Sequence, residues 1–459
     1  MKYLQIDEQT ISDLGIFSSH GKASIFELYC QTKTQGGGAR LEALFRHPLA
    51  DEGMINTRSA IYQFFSRKEY AFPVDSATMG ALAYYMENDD VRSQLTVGGQ
   101  SLGQRVRDLV AADASQVFVH DGVQAALRVF YQLGQFLDRL EQAVAGSAYE
   151  EAFVKLRELM QEPVFAGVRQ YAGSPFEVKL SAVALAELDK QVRFDHRERV
   201  LELLEMLYEL DVYISVGQVA RQRGFHFARV LPAESGRLYY QQVYHPHVEG
   251  AIANDLLLDG KHNVLFLTGA NMAGKSTLMK SLGIALYVGH MGFPVAAESF
   301  EFAVRDGIYT SINLADNLHL GASHYYAEVL RVKEVAAALQ VGKQLFVIFD
   351  ELFRGTNVKD AYDATIALTR AFSKKRGSQF IISTHIMEAG EVLGAEVLPI
   401  SYQFLPTEMK GNVPVYTRIL RDGITADRQG MIIIQNEGIL DMLDAGRGEI
   451  QLKQEEVRS

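Results

Sequence analysis

The centre of the sequence reads Thr268-Gly-Ala-Asn-Met-Ala-Gly-Lys-Ser-Thr277. An apolar run, Val264–Leu267, precedes it, and apolar residues at helical spacing follow from Leu278 to Val288. This order of strand, glycine loop and helix is the one that a phosphate-binding loop requires. The glycines let the backbone curl so that its N–H groups point inward, and the helix dipole adds positive potential.

The residue types in this loop match the parts of a nucleotide site. We expect Lys275 to reach the β- and γ-phosphates and Ser276 to ligate Mg²⁺. A glycine loop that matches by chance is the alternative, and three further stretches argue against it. The residues predicted to surround the phosphates are Gly269, Ala270, Asn271, Met272, Ala273, Gly274, Lys275, Ser276 and Thr277.

A second apolar run, Leu345–Phe349, ends in two carboxylates, Asp350 and Glu351. Such a run is typical of a buried parallel strand, and ligands lie beyond the carboxyl ends of these strands. We expect Asp350 to complete the Mg²⁺ shell and Glu351 to act as general base toward the attacking water. A strand that ends in a solvated acidic turn is the alternative.

A third short strand pattern ends at His385, which could contact the γ-phosphate or the attacking water. A lone histidine at a strand end is usually a satisfied polar residue, but its place one strand beyond the acidic pair favours a functional role. Glu351, His385 and Lys275 are thus the predicted catalytic set. A fourth stretch, Gly321–Glu328, precedes an amphipathic helix, and from the residues alone Ser323 is best interpreted as a helix cap.

Together these four stretches resemble the ATPase domain of the MutS family of DNA mismatch-repair proteins. The family's phosphate loop reads Gly-Pro-Asn-Met-Gly/Ala-Gly-Lys-Ser-Thr, and Asn271 and Met272 match the pair that ordinary phosphate loops lack. Its acidic strand reads Asp-Glu-Leu-Gly-Arg-Gly-Thr, close to Asp350-Glu-Leu-Phe-Arg-Gly-Thr356. The stretch around Ser323 looks like the family's Ser-Thr-Phe-x-x-Glu.

The resemblance implies ATP and Mg²⁺ as ligands, with Asn271 donating to the γ-phosphate and His385 sensing it. In the family, the serine of the fourth stretch reaches across a dimer to the partner's γ-phosphate. The resemblance therefore implies a homodimer with composite nucleotide sites, in which Ser323 acts in trans. A transporter ATPase is a weaker alternative, because the Ser323 stretch does not look like Leu-Ser-Gly-Gly-Gln.

The resemblance extends in front of the ATPase domain. Leu207–Val212 resembles part of a lever helix that returns to the ATPase, and His245–Val248 resembles the approach to the nucleotide site. The opening of the family's helical core domain is matched by Leu4–Asp7, Gln31–Gly36, Arg40, His47–Leu49 and Arg58.

A composition shift at Arg229–Glu234 is the predicted domain boundary. The fold class is α plus α/β: a helical core and lever domain at 1–231, then a phosphate-loop ATPase domain at 232–459 with a mostly parallel sheet covered by helices. Phe194–Gln222 is predicted as the longest helix and as the lever. The glycines Gly36–Gly38 are predicted to form a turn that starts a helix. Helical spacing also predicts helix over 109–118 and over 123–140.

Composition restricts the class of protein further. The chain has 459 residues, a net charge of −11, 48% apolar residues and one cysteine, Cys30, so an internal disulfide is excluded. The N-terminus lacks the apolar core of a signal peptide, and no apolar run approaches the roughly 20 residues needed to span a membrane. We therefore expect a cytoplasmic protein. Because the net charge is negative, any DNA contact must be a local basic patch or a ring formed by a dimer.

The sequence also departs from the family pattern. The core-like pattern begins at Leu4, so we expect no mismatch-wedging domain, and the short segment Arg58–Phe194 predicts a reduced or missing DNA clamp. Ala251 stands where the family has an aromatic residue that stacks on adenine. Phe353 and Ala361 replace glycines near the acidic strand, which predicts altered coupling within the dimer.

These observations predict a Mg²⁺-dependent ATPase that acts as a dimeric nucleotide switch. In one version the helical domains bind double-stranded or branched DNA without mismatch recognition, for DNA repair or recombination. In the other version DNA binding is lost and the nucleotide drives binding of a protein partner, such as a repair protein.

Overall fold

The computed structural model of the chain describes residues 2–18, 23–95, 109–162, 165, 178–312, 324–353, 355–411, 413–425, 438–440 and 442–443. Its helices are α1 (Glu8–Asp13), α2 (Ile25–Tyr29), α3 (Gln35–Arg46), α4 (Glu52–Ser66), α5 (Ser76–Glu87), α6 (Leu109–Val144), α7 (Glu150–Leu159), α8 (Ala182–Asp189), α9 (Arg197–Arg223), α10 (Lys275–His290), α11 (His324–Gln340), α12 (Val358–Ser373) and α13 (Met387–Gly394). A π-helix, Lys190–Asp195, joins α8 to α9.

Strands begin after α9. They are β1 (His226–Phe227), β2 (Arg229–Leu231), β3 (Leu238–Val243), β4 (Asn254–Leu258), β5 (Val264–Gly269), β6 (Pro294–Val295), β7 (Ser299–Ala303), β8 (Gly307–Ser311), β9 (Leu345–Asp350), β10 (Gln379–Ser383), β11 (Ile400–Leu405), β12 (Thr407–Lys410), β13 (Val413–Tyr416) and β14 (Arg421–Asp422).

Short polar side chains fix where the first helices begin. Asp7, Asp51 and Asp75 each accept a hydrogen bond from the backbone N–H three residues later. Ser24 does the same at α2, and Glu27 bonds back to the Ser24 N–H, which completes a capping box. These bonds satisfy N–H groups that a helix start otherwise leaves without partners.

Helices α4 to α9 contribute to one apolar cluster. Helix α6 is continuous over 36 residues and contains both stretches predicted to be helical. It is also longer than α9, which has 27 residues, so the predicted lever is not the longest helix of the described chain. Gly122 lies inside α6. A Cβ at this position would lie 2.2 Å from the ring of Tyr85, so the close packing requires glycine. The glycine permits close packing of α5 against α6 and does not end the helix.

The glycines Gly36–Gly38 form the first turn of α3, as predicted, and the helix begins at Gln35, in front of the glycines. A Cβ on Gly36 would lie 2.4 Å from the ring of Tyr208, and one on Gly37 would lie 2.5 Å from Asp211 Oδ2. Glycine costs about 1 kcal/mol inside a helix relative to alanine. Here it permits the close approach of α3 to α9.

A six-stranded sheet has the order β14-β11-β5-β10-β9-β8. Neighbouring strands from β11 to β8 are parallel, and β14 joins β11 in the antiparallel sense. Successive residues of β5, β9 and β10 alternate between two apolar clusters, one shared with α10 and the other with α12. Because helices cover both faces, these strands are apolar along their whole length.

A second, four-stranded sheet has the order β2-β7-β3-β4 and mixes one parallel with two antiparallel pairs. The alternation of strands and helices did not predict this separate sheet. Its strand β4 alternates buried and exposed residues, which is typical of a sheet with one solvated face.

The first residues of the chain pack against strands from its second half. Gln5 forms a parallel bridge to Gly307 of β8. Leu4, Leu14 and Ile16 belong to the apolar cluster that contains α10. This cluster therefore combines residues from both sides of the predicted boundary at 231/232.

The chain thus combines a helical region with a region of mixed helices and sheets, which agrees with the broad fold class expected from the sequence. Within the ranges that the structure describes, no helix has the length and apolar character needed to cross a bilayer.

Candidate functional site

The loop between β5 and α10 lies at the carboxyl end of a central strand, because β11 and β10 flank β5. Gly269 and Gly274 have φ angles of 151° and 104°. A Cβ on Gly269 would also lie 3.1 Å from the carbonyl oxygen of Leu405. Both positions therefore favour glycine. Met272 has φ of 69° and is 78% exposed, so its side chain protrudes from the loop.

The other residues predicted to bind phosphate follow the same curve. Asn271 and Thr277 are exposed, Ala270 is half-buried and Ala273 is buried. The Ala273 N–H donates to the Ala270 carbonyl oxygen at 3.2 Å, which closes a tight turn. All of these residues lie at the junction of β5 and α10.

Lys275 begins α10 and folds back over the loop, where it is only 6% exposed. Its Nζ donates to the carbonyl oxygens of Gly269 at 2.8 Å and Ala270 at 3.3 Å. Burial lowers the pKa of the Lys275 ammonium, and the negative charges of Glu351 and Asp350 oppose that shift. The ammonium is therefore held at the loop by acceptors that a phosphate oxygen could replace.

Ser276 and Asp350 are brought together by the strand order. Asp350 ends β9 and is in register with Ser383 of β10, which is in register with Leu267 of β5. Ser276 Oγ donates to Asp350 Oδ2 at 2.6 Å. A hydroxyl and a carboxylate oxygen side by side suit Mg²⁺, which prefers oxygen ligands.

The part of the chain described by the structure contains no group of three or more His, Cys, Asp or Glu residues able to hold a metal. Mg²⁺ usually binds through one or two protein oxygens and takes its other ligands from phosphate and water. The pair Ser276 and Asp350 therefore fits Mg²⁺ held together with a nucleotide, and does not fit a metal held by protein alone.

Glu351 follows Asp350 in a left-handed conformation with φ of 56°. Its N–H donates to the carbonyl oxygen of Ser383 at 2.9 Å, which continues the pairing of β9 and β10 by one residue. Its Oε1 lies 3.8 Å from His385 Nδ1, and the side chain of Glu351 is 19% exposed whereas that of His385 is 60% exposed. Two of the predicted catalytic residues thus lie together, near Lys275.

A cavity of about 250 Å³ opens beside the loop. Burial, together with the positive charges of His247 and Lys280, lowers the pKa of His245 to about 4. His245 is therefore neutral at pH 7. The cavity is lined by Val243, His245, Val248, Ala251, Ile252, Asn254, Met272, Gly274, Thr277, Leu278, Ser281, Leu405 and Arg418.

Arg418 lines this cavity, although sequence analysis did not single it out. Its backbone has φ of 57°. Asn254 fixes this segment, because its Nδ2 donates to the Arg418 carbonyl oxygen at 3.0 Å and its Oδ1 accepts from the Leu420 N–H at 2.7 Å. These partners lie more than 160 positions from Asn254 in the chain, so no local pattern in the sequence marks Arg418.

Two further predictions concern the neighbourhood of the acidic strand. Ser323 lies outside the described residues. Phe353, which stands where the family pattern has glycine, adopts φ of 65° and is 4% exposed. The ring of Phe353 contacts that of Tyr325 on α11, with 5.7 Å between centroids.

A central strand, a glycine loop, a helix and acids at the end of β9, two strands away, together have the layout of a nucleotide-binding α/β domain. Comparison with known families agrees, since the family model for MutS domain V matches residues 265–443. Residues 265–443 therefore carry the pattern of MutS domain V, which is consistent with a member of the MutS family.

Several curated relatives are DNA mismatch repair proteins named MutS. The protein from Fusobacterium nucleatum is 28% identical over 272 residues, which is 56% of this chain and 29% of that protein. The protein from Listeria monocytogenes is 31% identical over 217 residues, 46% of this chain and 25% of that protein. The protein from Nitratidesulfovibrio vulgaris is 28% identical over 260 residues, 53% of this chain and 27% of that protein. The matches thus span between a quarter and a third of the length of these relatives.

Proposed function

We propose that the chain binds ATP with Mg²⁺ and hydrolyses it to ADP and phosphate. The observation that carries this proposal is the convergence of Lys275, Ser276, Asp350 and Glu351 on one glycine loop at the carboxyl end of the sheet. The match of residues 265–443 to MutS domain V supports it, because domain V is the ATPase region of the MutS family.

The loop supplies the phosphate contacts in this proposal. Its backbone N–H groups and the positive end of α10 attract the phosphate oxygens. Lys275 exchanges the carbonyl oxygens of Gly269 and Ala270 for oxygens of the β- and γ-phosphates. Asn271, exposed on the same loop, donates to the γ-phosphate.

Ser276 and Asp350 would hold Mg²⁺, since their oxygens already lie 2.6 Å apart. When bound, the ion neutralises charge on the phosphate oxygens. The protein's own part is to keep the hydroxyl and the carboxylate adjacent at the junction of β9 and α10.

Glu351 acts as general base in the proposed hydrolysis. Its carboxylate accepts a proton from water while the water oxygen bonds to the γ-phosphorus, and the bond from that phosphorus to the bridging oxygen breaks as ADP leaves. His385, at 3.8 Å from Glu351, would sense the γ-phosphate. The cavity beside the loop would receive the base, with Ala251 offering no ring for stacking.

We further propose that two copies form a nucleotide-driven switch. Ser323 would complete the partner's site, and α9 would carry motion from the ATPase domain at 232–459 to the helical domain at 1–231. The output would be binding of double-stranded or branched DNA in repair or recombination, without mismatch recognition. The relatives are named DNA mismatch repair proteins, which supports a DNA output.

A second candidate output is nucleotide-driven binding of a protein partner. The observation that favours it is the net charge of −11, which opposes binding to a polyanion. The two outputs differ in whether affinity for DNA exists at all.

Nucleotide binding is tested with Lys275→Ala, which should weaken affinity for ATP because the phosphates lose an ammonium. Unchanged affinity in that variant would show that Lys275 does not contact the nucleotide. The output is tested by DNA binding at low and moderate salt, with and without a non-hydrolysable ATP analogue. Binding that falls steeply with salt and responds to the analogue supports the DNA output. If the protein binds no linear, branched or mismatched duplex at low salt, the DNA output is wrong and nucleotide-driven binding of a protein partner is the remaining proposal.

A further inference from the structure

The turn that carries Glu351 is strained. Glu351 and Phe353 both have positive φ, 56° and 65°, with only Leu352 between them. This region of backbone conformation is disfavoured for side chains with a Cβ, and most of all for bulky ones. Such a turn persists only where its surroundings hold it in place.

Burial of an aromatic ring holds this turn. Phe353 is 4% exposed and Leu352 is 7% exposed, and both belong to the apolar cluster between the sheet and α12. Val332 and Val335 of α11 belong to the same cluster. At the start of α11, the ring of Tyr325 meets that of Phe353 at a tilt of 59°.

Helix α11 is itself fixed at a second point. Arg331 is 7% exposed on its side chain and forms an ion pair with Asp7, which caps α1. The Arg331 guanidinium also donates to the carbonyl oxygen of Thr310 on β8, at 3.1 Å from Nε and 2.9 Å from Nη2. Thr10 of α1 accepts from Arg331 Nη2 at 3.0 Å. Helix α11 thus connects the N-terminal helix to the turn that carries Glu351.

We propose that Phe353, through its contact with Tyr325, is a positioning residue for Glu351, so that the placement of α11 sets the rate of hydrolysis. This inference rests on the proposed function, because it assumes that Glu351 acts on a water beside a bound nucleotide. The ring works as an anchor: it holds two disfavoured φ angles that aim the carboxylate toward Lys275 and His385.

Three substitutions separate the ring from the backbone conformation. Phe353→Ala removes the ring and keeps the strain, Phe353→Gly removes both, and Phe353→Leu keeps apolar bulk. We expect kcat to fall about 10- to 100-fold in the alanine and glycine variants with unchanged KM, since small displacements of a reacting group are costly. The leucine variant should recover part of the loss. Wild-type kcat in Phe353→Ala or Phe353→Gly would overturn the proposal.

A matched control is Phe372→Leu. Phe372 is buried in the same cluster, but it stacks with Phe349 and Phe380, away from the turn. We expect Phe372→Leu and Phe353→Leu to lower the melting temperature to a similar extent, while only Phe353→Leu lowers kcat. An equal loss of kcat in both variants would reduce Phe353 to a structural residue and overturn the proposal.

A spectroscopic test does not depend on turnover. The chain has no tryptophan, so Tyr325→Trp places a unique reporter beside Phe353. We expect its emission to change when a non-hydrolysable ATP analogue and Mg²⁺ are added, and Phe353→Ala in the same protein to remove that change. An emission that does not respond to the bound analogue would overturn the link between α11 and the site.

The two proposals fail in different ways. If the wild-type protein binds the analogue but never hydrolyses ATP, the proposed hydrolysis is wrong, and the emission of Tyr325→Trp still decides the link. A response that Phe353→Ala removes supports the link, and no response overturns it. A protein that binds no nucleotide overturns both.

Discussion

The carboxyl end of the six-stranded sheet and the helical region from α4 to α9 are both well packed, but they differ in backbone conformation and in the use of buried polar groups. Of the described non-glycine residues with positive φ, four lie at the candidate site: Met272, Glu351, Phe353 and Arg418. Between residues 52 and 223, no described non-glycine residue has a positive φ. Backbone strain is therefore concentrated where we place the chemistry, as expected for sites that must hold unusual geometries.

Buried charge in the helical region has a different character. Asp189 and Arg193 are both fully buried and pair through 2.8 Å and 2.9 Å bonds. Asp189 also accepts from the Tyr85 hydroxyl at 2.7 Å and from the Leu95 N–H at 3.1 Å. Both oxygens of the Asp189 carboxylate thus accept hydrogen bonds from groups within the helical region. Buried polar groups therefore stabilise the helical region, whereas those at the sheet end are the ones to which we assign chemistry.

The largest effect should come from Glu351→Gln. The amide cannot accept the proton of the attacking water, so we expect turnover to fall about 10²- to 10⁴-fold while affinity for ATP is kept. Steady-state hydrolysis and equilibrium nucleotide binding are the measurements. Glu408→Gln, an exposed acid on β12, is the control and should hydrolyse ATP normally. Near-normal turnover in Glu351→Gln would break the assignment of chemistry to the sheet end.

In the helical region, Asp189→Ala should cost stability and leave turnover alone. The substitution leaves the Arg193 charge buried without its carboxylate partner, so we expect a loss of about 3–5 kcal/mol in the free energy of unfolding. Asp138→Ala breaks the surface pair with Arg157 and should cost less than about 1 kcal/mol. Denaturant unfolding and ATPase assays check both. A change in kcat for folded Asp189→Ala would contradict the separation of the two regions.

His290 of α10 contacts Leu49 of the helical region, and we expect it to make the free energy of unfolding depend on pH. Burial lowers its pKa to about 4, and its Nδ1 pairs with the Leu49 carbonyl oxygen at 2.7 Å. Because the unfolded state binds this proton more tightly, stability is full above the unfolded pKa and falls as pH drops from about 6.5 toward 4. The loss should approach about 3 kcal/mol, at about 1.4 kcal/mol per pKa unit. His290→Gln should flatten that part of the pH–stability curve, and an unchanged slope would contradict the assignment.

The smallest effect is a comparison of helix caps. Asp75→Ala removes the cap of α5, and Asn357→Ala removes that of α12, beside the strained turn. Each should cost about 1 kcal/mol of stability. We expect only Asn357→Ala to lower kcat as well. Equal kcat in the two variants would indicate that the start of α12 does not affect the turn that carries Glu351.

Much of the sheet end could be predicted because its signals are local. The glycine loop needs particular residues at fixed spacing. Glu351 and His385, which follow β9 and β10, lie 3.8 Å apart because the parallel register brings these strand ends to one edge. Arg418 could not be predicted, because its place depends on a tie to Asn254 from a distant part of the chain.

The packing role of glycines in the helical region could not be predicted for a related reason. A glycine signals a turn by itself, but Gly36 and Gly122 are used for close approach to Tyr208 and Tyr85. That role depends on the tertiary partner and leaves no local pattern. The bridge from Gln5 to β8 is likewise a long-range pairing that no window of sequence contains.

The packing of Leu4 against the sheet also has a consequence for biosynthesis. Its apolar cluster includes Phe346 and Ile348, which leave the ribosome about 340 residues later. At about 5–20 residues per second, the start of the chain waits roughly 17–70 seconds for its partners. During that time its apolar side chains are open to chaperones and to aggregation. Loop closure over this span also makes folding slow, so the yield of native protein should depend strongly on the speed of translation.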